Sequence, residues 1–215
     1  MSRRVVRLPK RPVRGARTHE RLPARDRREQ LLATAADLLG REGIDGLELT
    51  RLATEAGVSR PIVYRFFPSR QALVMGVLED LEAELGRRFA IVASRPFPEG
   101  VEEATRLFID AVCDAIEAKG VGPWELLGSN GPDPIVAKLA RKIHERLLRP
   151  WLAPVAAVTG VGPREARTLS RMLVAAGRVV LEEWYTGGIS RDEAVRDATR
   201  GVSGLLSAFT VGRVR

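Results

Sequence analysis

The chain is poor in most of the side chains that carry chemistry. Of 215 residues, one is cysteine (Cys113), two are histidine, three are methionine, and aromatics make up 5%. A single cysteine excludes an internal disulfide and fits a reducing compartment, with Cys113 behaving as a small apolar group. With only His19 and His144 available, no Cys/His metal-ligand spacing can be written. No glycine-rich phosphate loop follows a strand. An enzyme is not expected, and neither a metal nor a cofactor is required. No apolar run is long enough to span a bilayer. The basic N-terminus lacks the apolar stretch of a signal peptide. A cytoplasmic protein follows by elimination. Sustained strand alternation and internal repeats are missing as well.

What the chain does have is positive charge in one place. Residues 1–25 hold nine Lys/Arg against one acid, Glu20, a surplus of eight that equals the net charge of +8 of the whole chain. The other 190 residues therefore balance. An arm of this composition, broken by Pro9, Pro12, Gly15 and Pro23, buries too little surface to order itself. It suits an anionic partner, nucleic acid or acidic lipid.

The remainder has helical periodicity, which predicts an all-α fold. Asp26 and Glu29 read as a capping box for a first helix with the apolar stripe Leu31, Leu32, Ala35, Ala36, Leu38 and Leu39, stopped by Gly43. Leu49, Leu52, Ala53 and Ala56 mark a short second helix ending at Gly57. Ser59 is the expected N-cap of a third, with Pro61 in its first turn, where a missing N–H does no harm. Pro68-Ser69 ends that helix and opens a long fourth, about 69–94. Residues 95–100 (RPFPEG) form a proline-rich break. The stretch 120–134 reads as a Gly/Pro-rich connection with one turn of helix at Trp124–Leu127. Helices follow at about 135–158 (bent near Pro150 and Pro154), 163–186 and 191–210.

Two short helices joined by a glycine-containing turn form a helix-turn-helix. Gly57 permits positive φ, and Val58 plugs the angle between the helices. Val63 and Phe67, four apart, are expected to point inward. Arg60, Pro61, Ile62, Tyr64 and Arg65 then face outward on the half of the helix that reaches a major groove. Arg60 and Arg65 can fork to guanine or phosphate, and Ile62 can touch a thymine methyl. Ser59 stands at the same edge, and the Tyr64 hydroxyl can donate to phosphate. Arg70, at the start of the fourth helix, is a further candidate for the DNA backbone. Phe66 fits either packing or exposure toward DNA.

Over Arg28 to Leu73 the sequence resembles the TetR family of transcriptional regulators. The resemblance rests on LLATAADLLGREG, LATEAGVS, Tyr64 and Phe67, and the following Pro-Ser-Arg-Gln-Ala-Leu. It departs from the usual pattern at Leu47-Glu48, where Thr50 can substitute as a phosphate contact, and at Pro61 and Phe66. The resemblance implies a helical homodimer of roughly nine helices per chain. It also implies a C-terminal ligand-binding and dimerisation domain, and repression relieved by a small molecule. The expected organisation is a basic arm over 1–25, a DNA-binding head over 26–73, and a helical ligand-binding and dimerisation domain over 74–215. The partners implied are near-palindromic duplex DNA, a second copy and an unidentified effector. A membrane-surface role for the arm would leave the helix-turn-helix unexplained. Arg11, Arg14 and Arg17 are assigned to phosphate or minor-groove contacts.

The C-terminal half shows two faces at helical spacing. One is Ala166, Leu169, Leu173, Ala176, Val180 and Trp184; the other is Val195, Ala198, Val202, Leu205, Leu206 and Phe209. Small residues accompany them, among them Gly201, Gly204, Ser207 and Ala208. A helix glycine costs about 1 kcal/mol relative to alanine, and close approach of two backbones would offset that. The last two helices are therefore expected to pair with their twofold mates in a four-helix bundle. The large or soft apolar groups Phe108, Cys113, Trp124, Leu127, Trp151, Met172 and Trp184 are the candidates for lining an effector pocket.

Overall fold

The computed structural model describes residues 22–93, 100–128 and 133–211. Arg11, Arg14, Arg17 and most of the 95–100 break lie outside them. The described residues are all-helical: α1 Ala24–Glu42, α2 Leu49–Glu55, α3 Arg60–Phe66, α4 Arg70–Ala93, α5 Val101–Lys119, α6 Val121–Gly128, α7 Pro134–Thr159, α8 Pro163–Tyr185 and α9 Arg191–Val211, with one 3-10 turn at Ile44–Gly46. Contacts divide them into two compact units, and the division falls inside α4, α5 and α7.

The first unit holds α1–α3, α4 as far as Glu84, α5 from Ala115, α6, and α7 as far as Ile143. The start of α1 corrects the expected capping box. The helix begins at Ala24 with Pro23 at the N-cap and no side-chain cap. Asp26 lies inside the first turn, where its charge suits the helix dipole, and Glu29 instead accepts from Arg25 Nε at 3.2 Å. Gly43, at φ 69°, ends the helix as expected. Leu31, Leu38, Leu47, Leu52, Phe67, Leu73, Leu78 and Leu81 are buried together with Val63. Each such leucine contributes on the order of 2–3 kcal/mol by burial.

The stretch taken for a connection is a two-turn helix, α6, in which Gly122, Pro123, Trp124, Leu126 and Leu127 are all buried. A helix apolar on nearly every side has to be enclosed; this one packs against α1. The approach is backbone to backbone: a Cβ on Gly122 would stand 2.4 Å from Gly40 N and 2.8 Å from Leu39 C. Gly120, at φ 88°, makes the corner from α5, and Lys119 Nζ meets Asp80 Oδ2 at 2.7 Å to hold the end of α5 on α4. Asp133 caps α7, accepting from the N–H groups of Ile135 (2.8 Å) and Val136 (3.2 Å). These bonds hold its carboxyl below the usual carboxylate range, with help from Gln71 and Arg70.

The second unit holds α4 from Leu85, α5 as far as Asp114, α7 from His144, α8 and α9. The α7 helix runs through Pro150 and Pro154, each of which removes one backbone hydrogen bond. A capping box starts α9: Ser190 Oγ accepts from Glu193 N, and Glu193 Oε2 accepts from Ser190 N at 2.8 Å. Bonds from Ser190 lower the Glu193 carboxyl pKa. An ion-pair ladder climbs α5. Arg106 spans Glu103 (2.7 Å) and Asp110 (2.9 Å), Arg191 of α9 pairs with Asp110 and Asp114, and Arg88 of α4 meets Asp114 at 2.9 Å.

α8 and α9 pack on each other, with Leu169, Val202 and Leu206 buried and Val101, Val155 and Leu173 against them. This revises the expectation for the apolar faces. Ala166, Leu169 and Trp184 of the first, and Val195, Ala198, Val202 and Leu206 of the second, are spent inside the chain. The opposite side stays open: Ala175, Val179, Gly201, Gly204, Ser207 and Ala208 are exposed.

Candidate nucleic-acid interface

Three local features set the angle between α2 and α3. Gly57 adopts φ 65°, which lets its N–H reach Thr54 O at 3.2 Å and lets Val58 N reach Ala53 O at 3.0 Å. Val58 is half-buried in that corner. Gln30 of α1 donates to Ala56 O at 3.3 Å and ties the end of α2 to the first helix. Ser59 takes the extended N-cap conformation, and its carbonyl accepts from Ile62 N at 3.0 Å. Its hydroxyl makes no cap bond. That corrects the expected cap and leaves the exposed Ser59 Oγ free to reach outward.

The third helix divides cleanly. Val63 (0% exposed) and Phe67 (2%) anchor it in the core, whereas Tyr64 is 47% exposed. Arg60, Pro61 and Arg65 are exposed and Ile62 is half-buried. Thr50 is half-buried in the first turn of α2. Phe66 is half-buried, and the Arg65 guanidinium lies over its ring at 5.0 Å. Phe66 thus serves as a platform that limits where Arg65 can swing. On the core side Phe67 fits against Gly76 of α4, where a Cβ would come within 2.9 Å of its ring, and the Arg28 guanidinium stands 5.7 Å from the ring centroid. Gln30, Gly76 and Arg28 are positioning residues that the sequence reading missed. Only their distance in the chain from the residues they hold kept them hidden.

Arg70 does not stand free for phosphate as expected. Its Nε donates to Leu47 O at 2.9 Å, and a terminal nitrogen donates to Ile44 O. The guanidinium caps the 3-10 turn and fixes it to the start of α4, whose first N–H groups are served by Ser69 Oγ accepting from Ala72 N at 3.1 Å. Arg70→Ala is expected to lower stability by about 1 kcal/mol, discounted for its exposure. Urea denaturation checks this through a lower midpoint at unchanged slope.

The effector candidates divide between the two units. Trp124 and Leu127 belong to the first unit, and the other five to the second. Phe108 and Trp151 do meet, with ring centroids 5.2 Å apart, and Phe89 of α4 stacks on Phe108 at 4.5 Å. Cys113 and Trp184 are buried. Met172 is 44% exposed and lines, with Phe209, Leu169 and residues 162–165, an open groove of about 580 Å³ at the start of α8.

Comparison with known proteins agrees with this geometry. Residues 31–77 match the model described as bacterial regulatory proteins, tetR family. The chain is 28% identical over 210 residues to the HTH-type transcriptional activator FasR of Mycolicibacterium smegmatis, covering 95% of this chain and 94% of that one. It is 35% identical over 72 residues to the nucleoid occlusion factor SlmA of Mannheimia succiniciproducens, a third of each chain. A TetR-like transcriptional regulator from Rhodococcus sp. RHA1 shares the fold with a TM-score of 0.69 at 18% identity, over 90% of this chain and all of that one. Residues 31–77, which hold the helix-turn-helix, thus match the tetR family of bacterial regulatory proteins, and the fold of the whole chain is TetR-like.

Proposed function

We propose that the chain is a sequence-specific transcriptional regulator that binds duplex DNA as a homodimer and changes its hold when a small molecule enters the helical body. The observation that carries this reading is the division of α3, with Val63 and Phe67 sunk in the core and Arg60, Tyr64 and Arg65 displayed. In that arrangement arginine forks supply base readout, while the hydroxyls of Ser59 and Tyr64 position the helix on phosphates. Two copies place two such helices in successive major grooves of a near-palindrome. Release by ligand, and hence repression, is the expected sense of regulation. The name of the relative FasR, an activator, favours the opposite sense. Deleting the gene separates them: transcripts from the bound promoter rise for a repressor and fall for an activator.

The basic arm adds phosphate or minor-groove contacts through Arg11, Arg14 and Arg17. Three such contacts account for a salt slope steeper by about 3. Removing residues 1–22 is expected to weaken binding and flatten the slope by that amount; an unchanged slope discards the arm. On α3, Arg60→Ala and Arg65→Ala are each expected to cost about 1–3 kcal/mol on the operator beyond their cost on random duplex. Fluorescence anisotropy on both duplexes reads the difference, and equal losses would reduce either residue to a backbone contact.

A further inference from the structure

The aromatic cluster of Phe89, Phe108 and Trp151 contains one polar atom. Trp151 Nε1 is buried and has no hydrogen-bond acceptor among the described residues. The indole stands edge-on to both phenylalanines, 5.2 Å from Phe108 and 6.2 Å from Phe89. A buried N–H left unmade is unfavourable and rare, because its lost hydration is not replaced. Trp151 and Phe108 as residues are only half-buried, so the cluster reaches the surface while the N–H does not. Two arginines close to the cluster in sequence are already paired. Arg88, beside Phe89 in sequence, is held by Asp114, and Arg106, two residues before Phe108, is held by Glu103 and Asp110.

We infer that these three rings form an inducible binding site for an apolar, ring-bearing molecule that carries a neutral hydrogen-bond acceptor such as a ketone or amide carbonyl, taken by Trp151 Nε1–H. The rings touch in this structure, so the ligand enters by parting them. The edge-on contacts of the indole are replaced by contacts with the ligand, and the N–H gains the acceptor it lacks. This rests on the ligand-responsive reading above and names the chemistry of the effector. Recognition by one neutral donor in an aromatic wall selects for carbonyl-bearing ligands over hydrocarbons of the same shape.

The test uses the full chain with two probes of matched skeleton, 4-phenylbutan-2-one and butylbenzene. Their dissociation constants are compared for the parent protein and for Trp151→Phe. The ketone is expected to lose about tenfold in affinity with the substitution while the hydrocarbon changes less than about twofold, the latter correcting for lost ring volume. In ¹⁵N-labelled parent protein, the Trp151 indole N–H resonance, assigned by its absence in Trp151→Phe, is expected to move downfield with the ketone alone. The inference is overturned if neither probe binds, if both lose equally, or if only the Trp124 or Trp184 resonance responds. Binding to duplexes flanking the protein's own gene is measured on the same samples. A Trp151 response without DNA binding leaves the site standing and removes the regulator reading. DNA binding with no Trp151 response does the reverse.

Discussion

Gly122→Ala is expected to destabilise the protein by about 2 kcal/mol, whereas Gly40→Ala is expected to be neutral or slightly stabilising. The two glycines face each other across the contact between α1 and α6, yet the contact is asymmetric. A Cβ on Gly122 would lie 2.4 Å from Gly40 N and 3.0 Å from Gly40 Cα, and a backbone cannot rotate aside as a side chain can. Only displacement of the whole α6 helix relieves the overlap, and overpacking of this kind costs about 1–3 kcal/mol. A Cβ on Gly40 meets its nearest neighbour among the described residues, Gly122 N, at an ordinary 3.6 Å. Alanine there also gains up to about 1 kcal/mol of helix propensity. For a chain of this length the Gly122 variant should melt about 4–8 °C lower, and differential scanning calorimetry reads the contrast. Because α1 also carries Gln30, which holds the end of α2, the Gly122 variant is further expected to bind DNA more weakly at temperatures where it remains folded. Equal melting temperatures for the two variants would mean that α6 does not rest on α1 in solution.

That contact also shows where a sequence reading stops. Helix existence was legible from periodicity: α1 to α4, α8 and α9 fall within a few residues of expectation, because glycines 43, 57 and 187 and prolines 68 and 163 punctuate the chain. The division of α3 was legible from spacing, since Val63 and Phe67 lie four apart on one face, while the equally apolar Ile62 and Phe66 fall off that face and end half-buried. The α6 helix was misjudged because its glycines and proline resemble loop chemistry. Gly122 is small to let a backbone in, and Pro123 sits in a first turn, where its missing N–H does no harm. The bonds of Arg70 to its own chain were hidden for a related reason. An exposed arginine beside a recognition helix looks the same in sequence whether its fork meets phosphate or the carbonyls of Ile44 and Leu47. The seven effector candidates were chosen by size alone, which carries no information about which element faces which, and only Phe108 and Trp151 meet in ring contact.

Gly204→Arg is expected to convert a dimer into a monomer and to lower affinity for a two-half-site duplex by about 10²–10⁴, the contribution of linking two weak heads. The argument starts from an unexplained cost. Gly201 and Gly204 lie within α9, both exposed, and a Cβ on either would meet no atom of the described residues within 4 Å. Packing among the described residues therefore gives no reason for two glycines that together disfavour the helix by about 2 kcal/mol. Close approach of a second chain does, and the neighbouring exposed Ser207, Ala208, Ala175 and Val179 continue the same small, weakly polar surface. If two copies meet at this surface, an arginine at 204 would put a long charged side chain between their backbones, without displacing any described neighbour in its own chain. The variant should keep its helicity and its affinity for a single half-site while sedimenting as a monomer at micromolar concentration. Gly201→Ala sharpens the test through its sign. In a monomer it would stabilise α9 by about 1 kcal/mol, whereas at a close crossing it would weaken association. Raised stability with unchanged dimerisation would place the interface elsewhere and leave the two glycines without a physical account.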